Sequence, residues 1–202
     1  MPRNGTCHAD HPWAQKWSGW QQIRLFGRFR VDGRVVDDIE AFLQKNVFDP
    51  RPYQGMERNG WIHGDLHFSN ILFDSLNKSF KLIDPRGRFG NLRGPDGDIH
   101  YDIAKLRHSY AGMYDAIVAG LFDLTSDWKL GIFDLQIGPD RREAALELDA
   151  LITRLGFNLS YVKLLEVGIF LSLIPLHDED PRRQYAFLFR ALQLLFELLA
   201  ER

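Results

Sequence analysis

The stretch Trp61-Ile62-His63-Gly64-Asp65-Leu66-His67-Phe68-Ser69-Asn70-Ile71-Leu72-Phe73 decides how the rest of the chain is read. It crowds His63, Asp65 and His67 together, adds the amide of Asn70, and runs on into an apolar, strand-like segment. A second apolar run, Phe80-Lys81-Leu82-Ile83, ends in Asp84-Pro85-Arg86-Gly87. Residues 70–73 and 79–83, joined by Asp74-Ser75-Leu76-Asn77-Lys78, predict a β-hairpin. Two short strands that each deliver a polar residue to one end are a common way to build a catalytic or metal site.

Each polar residue has an ordinary reading beside the chemical one. Asp65 reads as a general base or as a turn cap that bonds nearby backbone N–H groups. Asn70 offers a hard oxygen suited to Mg2+, or it is a turn residue. Asp84 is a ligand or the end of a strand. Taken together they make a sharper case. Two hard oxygen ligands beside a carboxylate base are what phosphoryl transfer needs: the cation offsets charge on the phosphates while the carboxylate orients the attacking hydroxyl. The same stretch also reads as H-x-D-x-H, a metal-hydrolase fragment that His100 or His108 would complete.

On the N-terminal side, Trp13, Trp17 and Trp20 share a helical face. Ile23 to Val36 predicts a hairpin turning at Asp32-Gly33. Val36, Ile39, Phe42 and Leu43 predict a short amphipathic helix, ended by Asp49-Pro50-Arg51-Pro52. On the C-terminal side, residues 85–98 read as a glycine-rich loop. Arg86, Arg88 and Arg93 in it suit an anionic substrate or a solvated surface. From Tyr101 the pattern reads as helical to the end, in four helices. Ile103, Leu106, Tyr110, Met113, Tyr114, Ile117 and Leu121 form one helical period. Asp140 and Glu143 predict a cap, Gly156 a stop, Tyr161 to Ile174 a central core helix, and Asp180-Pro181 the start of the last helix. The expected class is α+β: an N-terminal segment, residues 1–56, and a mostly helical body, residues 57–202, with the chemistry on a β-hairpin at its edge.

Composition narrows the function classes. With 45% hydrophobic and 26% charged residues, the chain of 202 residues is expected to fold rather than stay disordered. A net charge of −2 provides no global field for nucleic acid, so no nucleic-acid partner is expected. The single cysteine, Cys7, allows no disulfide within the chain and fits a cytoplasmic setting. Residues 1–10 are polar and do not read as a signal peptide. The apolar stretch from Val162 to Pro175 is interrupted by Lys163 and Glu166 and reads as a buried helix, not a membrane span.

The segment His63 to Leu72 resembles the catalytic loop of small-molecule kinases of the aminoglycoside phosphotransferase and choline kinase type, relatives of protein kinases with the same two-lobed fold. Ile83-Asp84-Pro85 resembles that family's second metal motif. Gly97-Asp98-Ile99-His100-Tyr101-Asp102-Ile103-Ala104-Lys105-Leu106 is similar to its Gly-Asp-Pro-x-x-Asp-Leu-Ala segment. The likeness covers about residues 57–122. It implies a protein-kinase-like C-terminal lobe that uses Mg2+ and moves the γ-phosphate of ATP to a hydroxyl of a small-molecule acceptor. By the same resemblance Asp65 is the catalytic base, Asn70 and Asp84 hold Mg2+, His63 and His67 support the loop, and Asp102 braces it.

The chain departs from the family pattern in two places near the site. Phe68-Ser69 stands where Pro-Gly is usual, and Pro85-Arg86-Gly87 replaces Phe-Gly or Trp-Glu. Upstream of His63 there is no glycine-rich loop followed by a strand lysine, and Lys16, Lys45 and Glu40 form no evident clamp. The implied small lobe is therefore absent or vestigial. Three expectations follow: a phosphotransferase, with a partner chain as one source of the small lobe; a degenerate lobe that acts by binding alone; or the metal hydrolase. The acceptor stays open among sugars, aminoglycosides, choline-like amines and lipopolysaccharide or capsule precursors.

Overall fold

A computed structural model describes residues 17–49, 51–89 and 92–201. Trp13 lies outside them. Trp17 and Trp20 are both buried, and Trp20 shares helix α1 (Ser18–Leu25) with buried Ile23. Because Ile23 completes that helical face, the first hairpin begins later than Ile23. Gly27, at φ 60°, breaks the helix, and β1 (Arg28–Val31) pairs antiparallel with β2 (Arg34–Asp37). Asp32 and Gly33 turn between them at φ 49° and 77°, the backbone a two-residue hairpin loop requires. Asp38 then caps α2 (Ile39–Asn46) by accepting the Ala41 N–H, so Val36 lies within a strand instead of opening the helix.

The expected loop at 85–98 contains short strands. β3 (Asn59–Trp61), β4 (Ile71–Asp74), β5 (Ser79–Leu82), β6 (Arg88–Phe89), β7 (Leu92–Arg93) and β8 (Asp96–Asp98) form three separate antiparallel pairs: β3 with β8, β4 with β5, and β6 with β7. Asp98 accepts the N–H of His100 and caps α3 (Ile99–Tyr110).

The expectation of continuous helix after Tyr101 is corrected next. The helical period stops near Gly112, a short α4 (Tyr114–Val118) follows, and the chain then forms β9 (Phe122–Asp127) and β10 (Ile132–Ile137). Five helices, not four, lie downstream of Asp98 among the described residues, completed by α5 (Arg142–Arg154), α6 (Leu159–Leu173) and α7 (Pro181–Ala200). The alternation Ile132, Phe133, Asp134, Leu135, Gln136, Ile137 is period 2, so only a strand puts Phe133 and Leu135 on one buried face. α5 opens without a side-chain cap from Arg141, and Asp140 instead accepts the Arg142 N–H. Asn158 and Asp180 cap α6 and α7.

The sheet runs β2-β1-β10-β9, with β1 and β10 parallel: Arg30 lies opposite Ile132 and Val31 opposite Phe133. The N-terminal segment is thus built into the body's sheet and shares its core. Phe133 stacks on Phe189 of α7 with centroids 4.8 Å apart and meets Phe29 edge-on. The class is α+β, as expected. Leu159–Leu176 is long and apolar enough to cross a membrane by length and composition, but more than half of it is buried in the protein. Its two charged residues are matched. Glu166 pairs with Arg107 of α3, and Lys163 Nζ lies 2.7 Å from Glu201 and 3.3 Å from Asp149.

Candidate active site

The loop from Trp61 to Asn70 is held by α3. β3 and β8 pair with Asn59 opposite Asp98, which sets the loop's entrance beside the first turn of the helix. Asp102, in that turn, accepts the backbone N–H of His63 at 2.6 Å and of Gly64 at 2.8 Å. Both carboxylate oxygens thus hold backbone N–H groups of the loop. Gly64 sits at φ 78°, and a Cβ there would lie 2.9 Å from Cβ of Arg86. Gly64→Ala is therefore expected to lower stability by about 1–3 kcal/mol, read as a lower urea midpoint at unchanged slope. A midpoint equal to wild type would show that the loop tolerates a side chain there.

His63 acts inside the loop. Its Nε2 donates to the Ile83 carbonyl at 2.8 Å, and its Nδ1 accepts the Asp65 N–H at 3.3 Å. Asn70 is buried, and its Nδ2 donates to the Asp65 carbonyl at 2.9 Å. That leaves the amide oxygen as the atom available to a cation. The Asn70 carbonyl accepts the Ile83 N–H at 3.0 Å, and Ile71 pairs with Leu82, so Asn70 and Asp84 leave the same end of the β4–β5 hairpin. Asp84 is exposed and left-handed at φ 54°, a backbone that aspartate tolerates better than most residues.

Asp65 has a partner that sequence reasoning left without a role. Lys105 of α3 is buried, and its Nζ lies 2.7 Å from Asp65 Oδ1, while His67 Nε2 lies 3.6 Å from Oδ2. Burial raises the affinity of the Asp65 carboxyl for its proton. The Lys105 ammonium, with His67 and Arg86 behind it, more than reverses this and holds the group below its ordinary value. Lys105 follows Asp102 by three residues, so the sequence puts both on the same side of α3, but it does not give Lys105 Asp65 as a partner. Arg86 is also tied to the site. Its backbone N–H donates to the His63 carbonyl at 2.8 Å, and its guanidinium donates to Tyr101 Oη at 3.2 Å.

The histidines do not assemble as an H-x-D-x-H metal set. His63 has used both ring nitrogens, and His100 bonds Asp98 at 2.8 Å. His108 Nδ1 donates to the Lys105 carbonyl. Burial first, and then the Lys105 ammonium, push His108 down to about 3, so its ring is neutral. Among the described residues no three His, Cys, Asp or Glu side chains converge as metal ligands. A cavity of about 770 Å³ is lined by Arg107, Asp149, Lys163 and Arg190, and by none of Asp65, Asn70 or Asp84. Arg107 and Lys163 in its wall are held by carboxylates, and Arg190 by the carbonyls of Ala111 and Gly112.

The β4–β5 hairpin is open to solvent on both strands. Ile71, Phe73, Phe80 and Leu82 share one face by register, and Phe73 and Phe80 are 54% and 71% exposed. Comparison with protein-family models, curated proteins and solved structures finds no match to this chain.

Proposed function

We propose that this chain is a kinase-like C-terminal lobe that moves the γ-phosphate of ATP to a hydroxyl of a small molecule. One observation carries the reading. Asp65 is clamped between two supports, the Asp102 carboxylate on the His63 and Gly64 N–H groups and the Asn70 amide on the Asp65 carbonyl, so carboxylate, amide and hairpin exit form one unit. The resemblance of the loop to small-molecule kinases supplies the reaction class.

The chemistry asked of the residues is modest. An acceptor hydroxyl donates its hydrogen bond to Asp65, which orients the oxygen in line with the γ-phosphorus. The new O–P bond forms as the bond to the β-phosphate oxygen breaks, ADP departs, and the hydroxyl proton passes to Asp65 late in the step. Lys105 keeps Asp65 ionised until then. A carboxylate this acidic is a weak base but a reliable hydrogen-bond acceptor, which suits orientation more than early deprotonation. The Asn70 amide oxygen and the Asp84 carboxylate are hard donors of the kind Mg2+ prefers. When bound there, the ion would neutralise phosphate charge.

Calorimetric titration with Mg–ATP tests the reading. The wild-type chain should bind, and Asp84→Ala should weaken binding by at least about tenfold. Complete absence of binding by wild type would support the degenerate lobe instead. The exposed apolar face of β4–β5 supports a partner chain that supplies the nucleotide clamp, because such a patch marks an interaction surface and a lone hairpin is stabilised by cover.

A further inference from the structure

The cavity of about 770 Å³ takes no part in the chemistry at Asp65. Its volume falls in the range of about 300–1,000 Å³ that holds a small organic ligand. The β1–β2 turn, the end of β10, α5, α6, α7 and the turn after α3 all contribute to its wall. Met113, Leu135, Ile137, Leu146 and Leu194 give that wall an apolar part. The rest is polar, with basic and acidic side chains in close balance.

Most of these charges are matched. Arg107 pairs with Asp149, Lys163 with Asp149 and Glu201, and Arg142 with Asp140. Asp32 accepts the Leu135 N–H and the Gln193 amide. Arg190 differs. Its side chain is only 15% exposed, yet its hydrogen bonds go to neutral oxygens: Nε to the Gly112 carbonyl at 3.1 Å, Nη2 to the Ala111 carbonyl at 3.0 Å and Nη1 to Gln193 Oε1 at 3.0 Å. Among the described residues the one carboxylate within 4 Å is that of Glu197, at 3.8 Å and half exposed. A guanidinium carries five N–H groups, so one on each Nη stays available. Burial works against the charge of both buried arginines. At Arg107, Glu166 and Asp149 more than reverse it, and the group lies above its ordinary value. At Arg190 burial prevails over Glu197 and Glu166, and the group lies below. Arg34, over the Phe196 ring at 5.3 Å, adds a second cation to the wall that forms no ion pair among the described residues.

We propose that this cavity is a second ligand site, and that it takes a small organic carboxylate with an apolar body, bound through its carboxylate to Arg190. A buried charge is ordinarily paired, and a carboxylate supplies the partner that Arg190 lacks. The planar guanidinium matches that group in shape. The apolar part of the wall, at Leu135, Leu146 and Leu194, covers the body of the ligand. One negative charge suits the site better than two, because Asp32 and Glu197 stand in the same wall and repel a dianion such as phosphate. An ammonium group meets Arg190 and Arg34 instead. The assignment does not rest on the phosphotransferase reading, since none of Asp65, Asn70 or Asp84 lines the cavity.

Calorimetric titration of the full chain with sodium octanoate, beside 1-octanol, octylammonium chloride and inorganic phosphate, tests the assignment. Octanoate should bind at least about tenfold more tightly than each of the other three. Arg190→Gln removes the charge and should weaken octanoate binding by about tenfold or more. Because Arg190 also holds two backbone carbonyls, Ala145→Phe is a second probe. Ala145 lines the cavity from α5, so a ring there narrows it without altering any charge, and octanoate binding should fall in the same direction. Circular dichroism shows which variants are folded, and if Arg190→Gln is not, Ala145→Phe decides. No octanoate binding by wild type would overturn the assignment. So would octanol, octylammonium or phosphate binding as tightly as octanoate. Unchanged affinity in a folded Ala145→Phe protein would place the octanoate elsewhere, such as the exposed β4–β5 face, and would overturn it too.

Discussion

Asp65→Asn is expected to lower ATP-dependent phosphorylation by about 10³-fold, within the range that a positioned acid–base group contributes. The substitution keeps the shape of the side chain and removes its charge. The amide oxygen can still accept from Lys105, so the loop should hold its place. It can no longer take the hydroxyl proton or orient the hydroxyl with a full negative charge. Stability should fall only slightly, because the Asp65 side chain is 39% exposed and solvent screens its pairing with Lys105. ADP release and product mass, measured beside a thermal melt, separate the two effects. A folded Asp65→Asn protein that retains more than about a tenth of wild-type turnover would end the case for Asp65 as the base.

The second large effect is on stability and lies away from the site. Arg107→Met should destabilise the fold by about 3–5 kcal/mol, because it leaves the fully buried Glu166 without its ion-pair partner and Asp149 with Lys163 alone. Arg107 is 4% exposed, Asp149 8% and Glu166 0%, and the guanidinium bonds both acids, Nε to Asp149 Oδ1 at 2.7 Å and Nη1 to Glu166 Oε2. The three residues join α3, α5 and α6, so their loss loosens the helical body that carries Asp102 and Lys105.

The deficit should also depend on pH. Burial raises the Glu166 carboxyl above the ordinary glutamate range even with Arg107 pulling it down, and removing Arg107 should raise it further. A folded-state value above the unfolded one means that the folded protein holds the proton more tightly. The associated stability is therefore present below about pH 4.5 and lost as pH rises through the folded-state value. Urea midpoints of Arg107→Met should accordingly fall further behind wild type at about pH 8 than at about pH 4.5. A deficit that is flat or grows on acidification would show that Glu166 is not the group left exposed to the missing cation.

Much of the site was legible because it is local. Asn70 and Asp84 flank one hairpin in sequence and so leave the same end of it, with a register that follows from its own strands, and Asp102 is placed by the cap at Asp98. Expectations that failed did so for physical reasons. An isolated Ile fits either period, so Ile23 reads as a strand residue in sequence, while its burial beside Trp20 makes it part of α1. Leu121 extends the α3–α4 period by chance, which hides β9 and β10 behind an apparent helical run. The alternation that follows, Phe122-Asp123-Leu124 and Phe133-Asp134-Leu135, carried the strand signal.

The residue types alone grouped Asp65, Asn70 and Asp84 and set the α+β class, since turn chemistry, caps and short-range periodicity act between near neighbours in the chain; the bracing role of Asp102 was implied only by the family resemblance. Three things came only with the fold: the parallel join of β1 to β10, the burial of Lys105 against Asp65, and the gathering of His67, His108, Tyr114 and His177. Each depends on chain segments far apart in sequence. Arg30 pairs with Ile132, and Asp32 accepts the Leu135 N–H at 2.9 Å across 103 residues. No local pattern encodes such partners; they meet because burying the faces of α3, α6, α7 and the sheet against one another leaves those side chains one place to go.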